Sequence, residues 1–169
     1  MVNEMLPPMP DDNAADRHDV GADIVDAFQT LLRQFGAEVE GLDREVLGWR
    51  PAPDTTPISN LVLHVIGAMK VGFTVLSGEP QERDRAAEFE AAPLSAAELT
   101  ARISAAEHDL DAYRDRLSVA DLLAFRHRPA RNFRASGLTM LLITWGHTTE
   151  HLAQVRLTRQ LYDAGRALK

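Results

Sequence analysis

From Leu99 to Leu117 the apolar residues fall at 99, 103, 106, 110, 113 and 117, in steps of four, three, four, three and four. That spacing keeps one stripe of an α-helix turned inward and does not fit the two-residue alternation of a strand. Similar steps run from Ile24 through Phe28, Leu31, Leu32, Phe35, Val39 and Leu42. Nothing alternates with period two for long enough to build a sheet, so the chain reads as all-α.

Punctuation residues divide it into four long helices. Asp19 or Asp23 is placed to cap helix one, over about 20–42, with Gly41 near its end. The three prolines of "LDREVLGWRPAPDTTP" break the pattern. Thr56 and Pro57 form an N-cap and first-turn pair for helix two, over about 57–76, which Ser77 and Gly78 stop. This helix is apolar nearly all round and should be the most buried. The charged segment 78–93 has no clear apolar stripe and reads as a long surface connection with room for a helical turn. Ser95 and Glu98 then form a capping box, with Leu94 and Leu99 as its hydrophobic staple, at the start of helix three. "RHRPARNFRASG" is a second irregular, basic segment before Ser136, the expected cap of helix four over about 137–162. The expectation is a four-helix bundle with long connections, one domain over 19–169, behind a disordered tail of residues 1–18.

Composition narrows the chemistry. With no cysteine in 169 residues, a metal must be held by His, Asp or Glu, and thiol chemistry must use a thiol from outside. A net charge of −7 argues against nucleic acid as a partner. No apolar run approaches the ~20 residues of a membrane span, and the first 18 residues lack the basic start and apolar stretch of a signal peptide. A cytoplasmic protein is expected. Sixteen Arg against two Lys, with abundant Ala, point to a GC-rich bacterial genome. The apolar width of helices two and four fits a homodimer.

Six histidines are present. His18 in the tail, His127 in the basic segment and His108 between two core positions are explained by solvation. His147 and His151 lie four residues apart, so their rings leave one largely apolar face of helix four. Alone, such a pair is more often a hydrogen-bonded structural feature than a ligand pair. His64 changes the balance. It lies mid-way along the most apolar helix, beside Gly67, Ala68 and Gly72, whose small side chains leave open volume next to the imidazole. Three histidines within two buried helices fit a metal site whose fourth position is open to water or substrate.

These residues resemble the DinB/YfiT-like superfamily of metalloenzymes. "LGWRPAPDTTPISNLVLHV" is similar to the family's approach to helix two, and "WGHTTEHLAQV" to its H-x-x-x-H-x-x-Q segment, in that order from about Asp19 to Tyr162. The resemblance implies a four-helix bundle with His64, His147 and His151 as ligands of a divalent metal, zinc or nickel. Imidazole also suits iron and copper. Asn60, Glu150 and Gln154 lie within reach of the imidazoles by spacing, Glu150 being the one carboxylate expected near them.

Relatives known from the family include bacillithiol S-transferases and a mycothiol-dependent maleylpyruvate isomerase. They imply a metal-dependent transferase with mycothiol or bacillithiol as co-substrate and a small-molecule substrate, in which the thiolate attacks an electrophile. A stress-associated metal- or ligand-binding protein without turnover, or a hydrolase activating water at the open position, are the alternatives. Arg126, Arg128, Arg131 and Arg134 are placed to take a carboxylate, although a solvated loop explains them more simply.

Overall fold

The Oδ1 of Asp19 accepts the backbone N–H of Gly21 at 2.9 Å and so opens helix α1, Val20–Val39, as its spacing predicts. The computed structural model describes residues 19–79, 83–128 and 132–167. The tail of residues 1–18, with His18, and Arg131 of the basic segment lie outside the described residues. Gly41, at φ +70°, turns the chain out of α1 in a conformation that favours glycine. A short helix, α2 (Arg44–Gly48), follows and buries Val46 and Leu47.

Helix α3, Ile58–Leu76, starts one residue later than expected. Pro57 itself is the N-cap, with no side-chain cap bond from Thr56. Its end is a Schellman motif: the N–H of Glu79 bonds Thr74 O at 2.6 Å and that of Gly78 bonds Val75 O at 3.1 Å, with Gly78 at φ +84°. Contrary to the expectation from sequence, this helix has the length and apolar character of a membrane span, with 19 residues and a mean hydropathy of 1.5. Within the bundle, however, 72% of its most apolar 18-residue window is buried.

The connection that follows α3 holds a helix, α4 (Arg85–Glu90). Helix α5, Ala96–Asp111, opens on the predicted capping box, in which Glu98 N donates to Ser95 Oγ and Ser95 N to Glu98 Oε2. It ends earlier than its apolar stripe. At its last turn Gln29 of α1 donates from Nε2 to Glu107 O and Asp111 Oδ1, both at 2.9 Å. The chain then continues as turns that still bury Leu117.

After α6 (Val119–Leu123), the basic segment forms an antiparallel hairpin, β1 (Phe125–Arg128) with β2 (Phe133–Ser136). Phe125 pairs with Ser136 and Arg128 with Phe133. Strands of four residues are too short for alternation to announce them, which is why an all-helical reading missed them. Helix α7, Gly137–Ala167, begins where Ser136 Oγ accepts the N–H of Thr139 at 3.2 Å.

The four long helices α1, α3, α5 and α7 enclose one main core, in which Phe28 stands edge-on to both Phe73 and Trp145 at 5.1 and 5.3 Å. The most extensive interface is that of α3 with α7. A single bundle covers α3, whereas α7 leaves Leu138, Leu142 and Leu157 exposed. Small residues set the spacing of α3 and α7. A Cβ at Gly72 would meet Thr144 Oγ1 at 2.7 Å, so the missing side chain lets Thr144 of α7 close on α3 there.

Candidate metal centre

His64 projects from the middle of α3, and His147 and His151 from successive turns of α7. One ring nitrogen from each lies within 4.8 Å of those of the other two. The imidazole centroids are 4.3–5.1 Å apart. His64 Nε2 and His147 Nε2 approach to 3.0 Å. For comparison, two nitrogens each ~2.0–2.1 Å from a tetrahedral ion stand about 3.3 Å apart.

Counting protons assigns the tautomer of His64. Arg83 Nη2 has two hydrogens, and two acceptors lie in reach: Glu88 Oε2 at 2.5 Å and the backbone carbonyl of His64 at 2.7 Å. It has none left for His64 Nδ1, although that atom is only 2.9 Å away. Nδ1 must therefore carry its own proton and donate it to Glu88 Oε2 at 3.0 Å. Nε2 is then left bare. Burial lowers the pKa of His64 from 6.5 to about 3, helped by the neighbouring Arg83 and, less, by His147, His151 and Arg85, so the ring is neutral at neutral pH.

At His151 the same logic applies. Nδ1 stands 2.7 Å from Gln154 Oε1, an acceptor, and so donates to it. The bare Nε2 that remains is buried and has no hydrogen-bond partner. An orphaned buried acceptor costs ~1–3 kcal/mol. Here it belongs to the same cluster as the bare Nε2 of His64. The Nε2 atoms of His64 and His151, with a ring nitrogen of His147 within 4.8 Å of both, form a donor set that fits a divalent cation and leaves an open coordination position.

Comparisons with known proteins place the chain in a family and a fold. A sequence profile of the DinB superfamily matches residues 27–155, most of the chain. The chain belongs to the DinB superfamily. Among solved structures it is similar to YfiT from Bacillus subtilis, described as a probable metal-dependent hydrolase with an unusual four-helix bundle topology. The two share 12% sequence identity over 93% of each chain, with a TM-score of 0.67, and so the same fold. No curated protein matches the chain.

In this DinB bundle the partners of the imidazoles are not all those that spacing proposed. Gln154 does bond a ring, that of His151. Glu150 is exposed on α7. Asn60 spends its amide hydrogens away from the imidazoles. Its buried amide donates to the carbonyls of Glu88, Phe89 and Ala91 at 2.9–3.2 Å and so anchors the end of α4 against α3. The carboxylate beside the site is Glu88, from the segment read as a surface connection. Its salt bridge with Arg83 is largely buried, the two side chains being only 14% and 12% exposed. Phe89 lies on His64 with centroids 4.5 Å apart. Gly67 admits this lid, because a Cβ there would collide with Glu88 Oε1. A glycine three residues after His64 and a buried amide four before it were the available signals.

Beside His147 the DinB fold opens into a cavity of about 60 Å³ walled by Ala68, Arg83, Arg128, Ile143 and Thr144. Arg128, Ile143 and Thr144 also wall a larger cavity of about 260 Å³, whose other lining includes Val71, Val75, Phe133 and Met140. Of the remaining arginines, Arg126 is structural, donating to Leu76 O at 2.8 Å and to Asp121 Oδ1 at 2.8 Å. Arg134 is exposed on β2.

Proposed function

We propose that this DinB protein is a divalent-metal enzyme that activates a small nucleophile at the three-histidine centre and delivers it to a substrate in the adjoining cleft. The observation that carries the reading is the buried, unpartnered Nε2 of His151 beside the bare Nε2 of His64. His64, His147 and His151 would hold the ion, with zinc and nickel as the first metals to test. When bound, it supplies Lewis acidity that lowers the pKa of a coordinated thiol or water.

A low-molecular-weight thiol, mycothiol or bacillithiol, is the nucleophile this site suits better. Hydrolysis needs a group to take and return protons. Among the described residues the carboxylate nearest the centre, Glu88, is already engaged by Arg83 and His64. A thiol needs no such base once its pKa is lowered, because its proton goes to solvent and its sulfur is the stronger nucleophile. Likeness to YfiT favours the second reading, hydrolysis.

One experiment separates these readings. The purified chain is loaded with zinc or nickel. It is then assayed for conjugation of a model electrophile with each thiol, and for hydrolysis of an activated ester, beside His64→Ala, His147→Ala and His151→Ala. Conjugation lost in all three variants supports thiol transfer. Ester hydrolysis alone, lost in the same variants, replaces it with the hydrolase. Metal bound at one ion per chain with neither activity leaves the binding protein without turnover.

A further inference from the structure

Val71 and Val75 of α3, Ala135 of β2 and Met140 of α7 form a small buried cluster separate from the main core, with Phe133 packed against it. Clusters of this kind leave few spaces larger than a water molecule. Here Val71, Val75, Phe133, Met140 and Ile143 wall a cavity of about 260 Å³. An apolar cavity of about 150 Å³ is enough to hold benzene. The chamber therefore has room for one ring and further carbons. It also lies against the metal centre, because Arg128, Ile143 and Thr144 wall both it and the smaller cavity that reaches His147.

The polar groups on these walls are already committed. Arg83 is held in its salt bridge to Glu88, and Arg128 has a partner of its own within the fold. Thr144 Oγ1 donates its hydrogen to Met140 O at 2.9 Å. Among the described residues the lining offers no carboxylate. A charged group entering the chamber would lose its water with no free partner in exchange, whereas carbon gains by the same transfer.

We infer that the chamber takes the uncharged apolar part of the substrate, a ring or a chain of several carbons. The substrate is then a neutral, hydrophobic electrophile whose reacting atom is turned toward His147. This deepens the metal-enzyme reading and rests on it for the reacting end, but not for binding in the chamber.

1-Octanol, 1,8-octanediol and 1-butanol serve as probes in titration calorimetry on the full chain, with zinc counted in the same samples by elemental analysis. Octanol should bind at least ten-fold more tightly than butanol, which leaves the chamber part empty. It should exceed octanediol by at least ten-fold as well, since the diol carries a second hydroxyl into apolar walls. Val75→Phe fills the chamber from α3 and should cost octanol at least ten-fold with zinc content unchanged. Ile143→Trp, at a side chain 45% exposed, fills it from α7 and should do the same, and it decides the matter if Val75→Phe does not fold. Octanol bound no more tightly than the diol, or octanol affinity unchanged in the folded variants, would overturn the assignment even in a chain holding one zinc. Octanol binding that the filled variants lose, in a chain without zinc, would keep the chamber and remove the metal centre.

Discussion

Glu88 decides which nitrogen of His64 is bare. Its Oε2 takes the Nδ1 proton, and its charge is matched by a guanidinium that also holds the His64 carbonyl. Partners of this kind orient a ligating imidazole and raise its basicity. Glu88→Gln keeps the shape and one acceptor but loses the charge and half of the fork with Arg83. The expected outcome is a fall of about 10–100-fold in metal affinity, measured by competition with a chromophoric chelator while circular dichroism reports an unchanged fold. Full affinity in the variant would reduce Glu88 to a packing role. Glycines test the same neighbourhood by sign. Gly67→Ala pushes a methyl into a Glu88 carboxylate held on two sides and should lower stability by about 1–3 kcal/mol. Gly36→Ala, in α1 with nothing near its added Cβ, should raise it by up to ~1 kcal/mol, since alanine is the better helix former. Thermal melts of the pair decide, and equal effects would sink the argument from Glu88.

Elements differ in how far their residues announce them. The long helices, the capping box at Ser95 and the left-handed stop at Gly78 follow from periodicity and backbone chemistry, which act within a few residues. The three histidines were legible because imidazoles on apolar faces are conspicuous. Helices α2, α4 and α6 span only five or six residues, less than two turns, so no stripe can form. For α4 the fixing groups are Asn60, Gly67 and His64 of another helix, and nothing in "RAAEFE" alone encodes them. The strut formed by α6 and the hairpin is similarly non-local. Asp121 closes its own capping box with Ser118 and holds Arg126, which reaches across to Leu76 O. The Ser118 hydroxyl first, then the Ser118 N–H and Arg126, hold the Asp121 carboxyl below its usual value of 3.8, against the opposing effect of burial. A carboxyl lowered on folding contributes stability that is complete above the unfolded pKa and lost as pH falls through the folded one. Asp121→Asn should therefore melt below the wild type at neutral pH, with the gap closing as pH falls below about 4. A gap that is constant with pH would mean that the carboxylate charge contributes nothing.

Across the whole molecule, the proposed site joins α3 to α7 through their largest interface, so metal binding and folding are one equilibrium. A ligand that binds the folded chain alone stabilises it by about 2.7 kcal/mol when free ligand is about 100 times its Kd. For a chain of this size that corresponds to a rise in Tm of about 5–10 °C. Adding zinc or nickel to chelator-treated protein should produce this rise, and excess chelator should reverse it. His64→Ala, His147→Ala and His151→Ala should each lose most of it, because each removes a third of the ligand set. His108→Ala is the control: His108 is exposed on α5, lines a different cavity with Lys70 and Asp109, and is not one of the clustered histidines. That variant should respond to metal as the wild type does. If all four variants kept the rise, the ion would be binding elsewhere on an acidic surface, and the orphaned Nε2 of His151 would need another explanation. If the three site variants lost it while gaining stability without metal, the buried imidazoles would be a strain that the metal-free fold tolerates in order to bind.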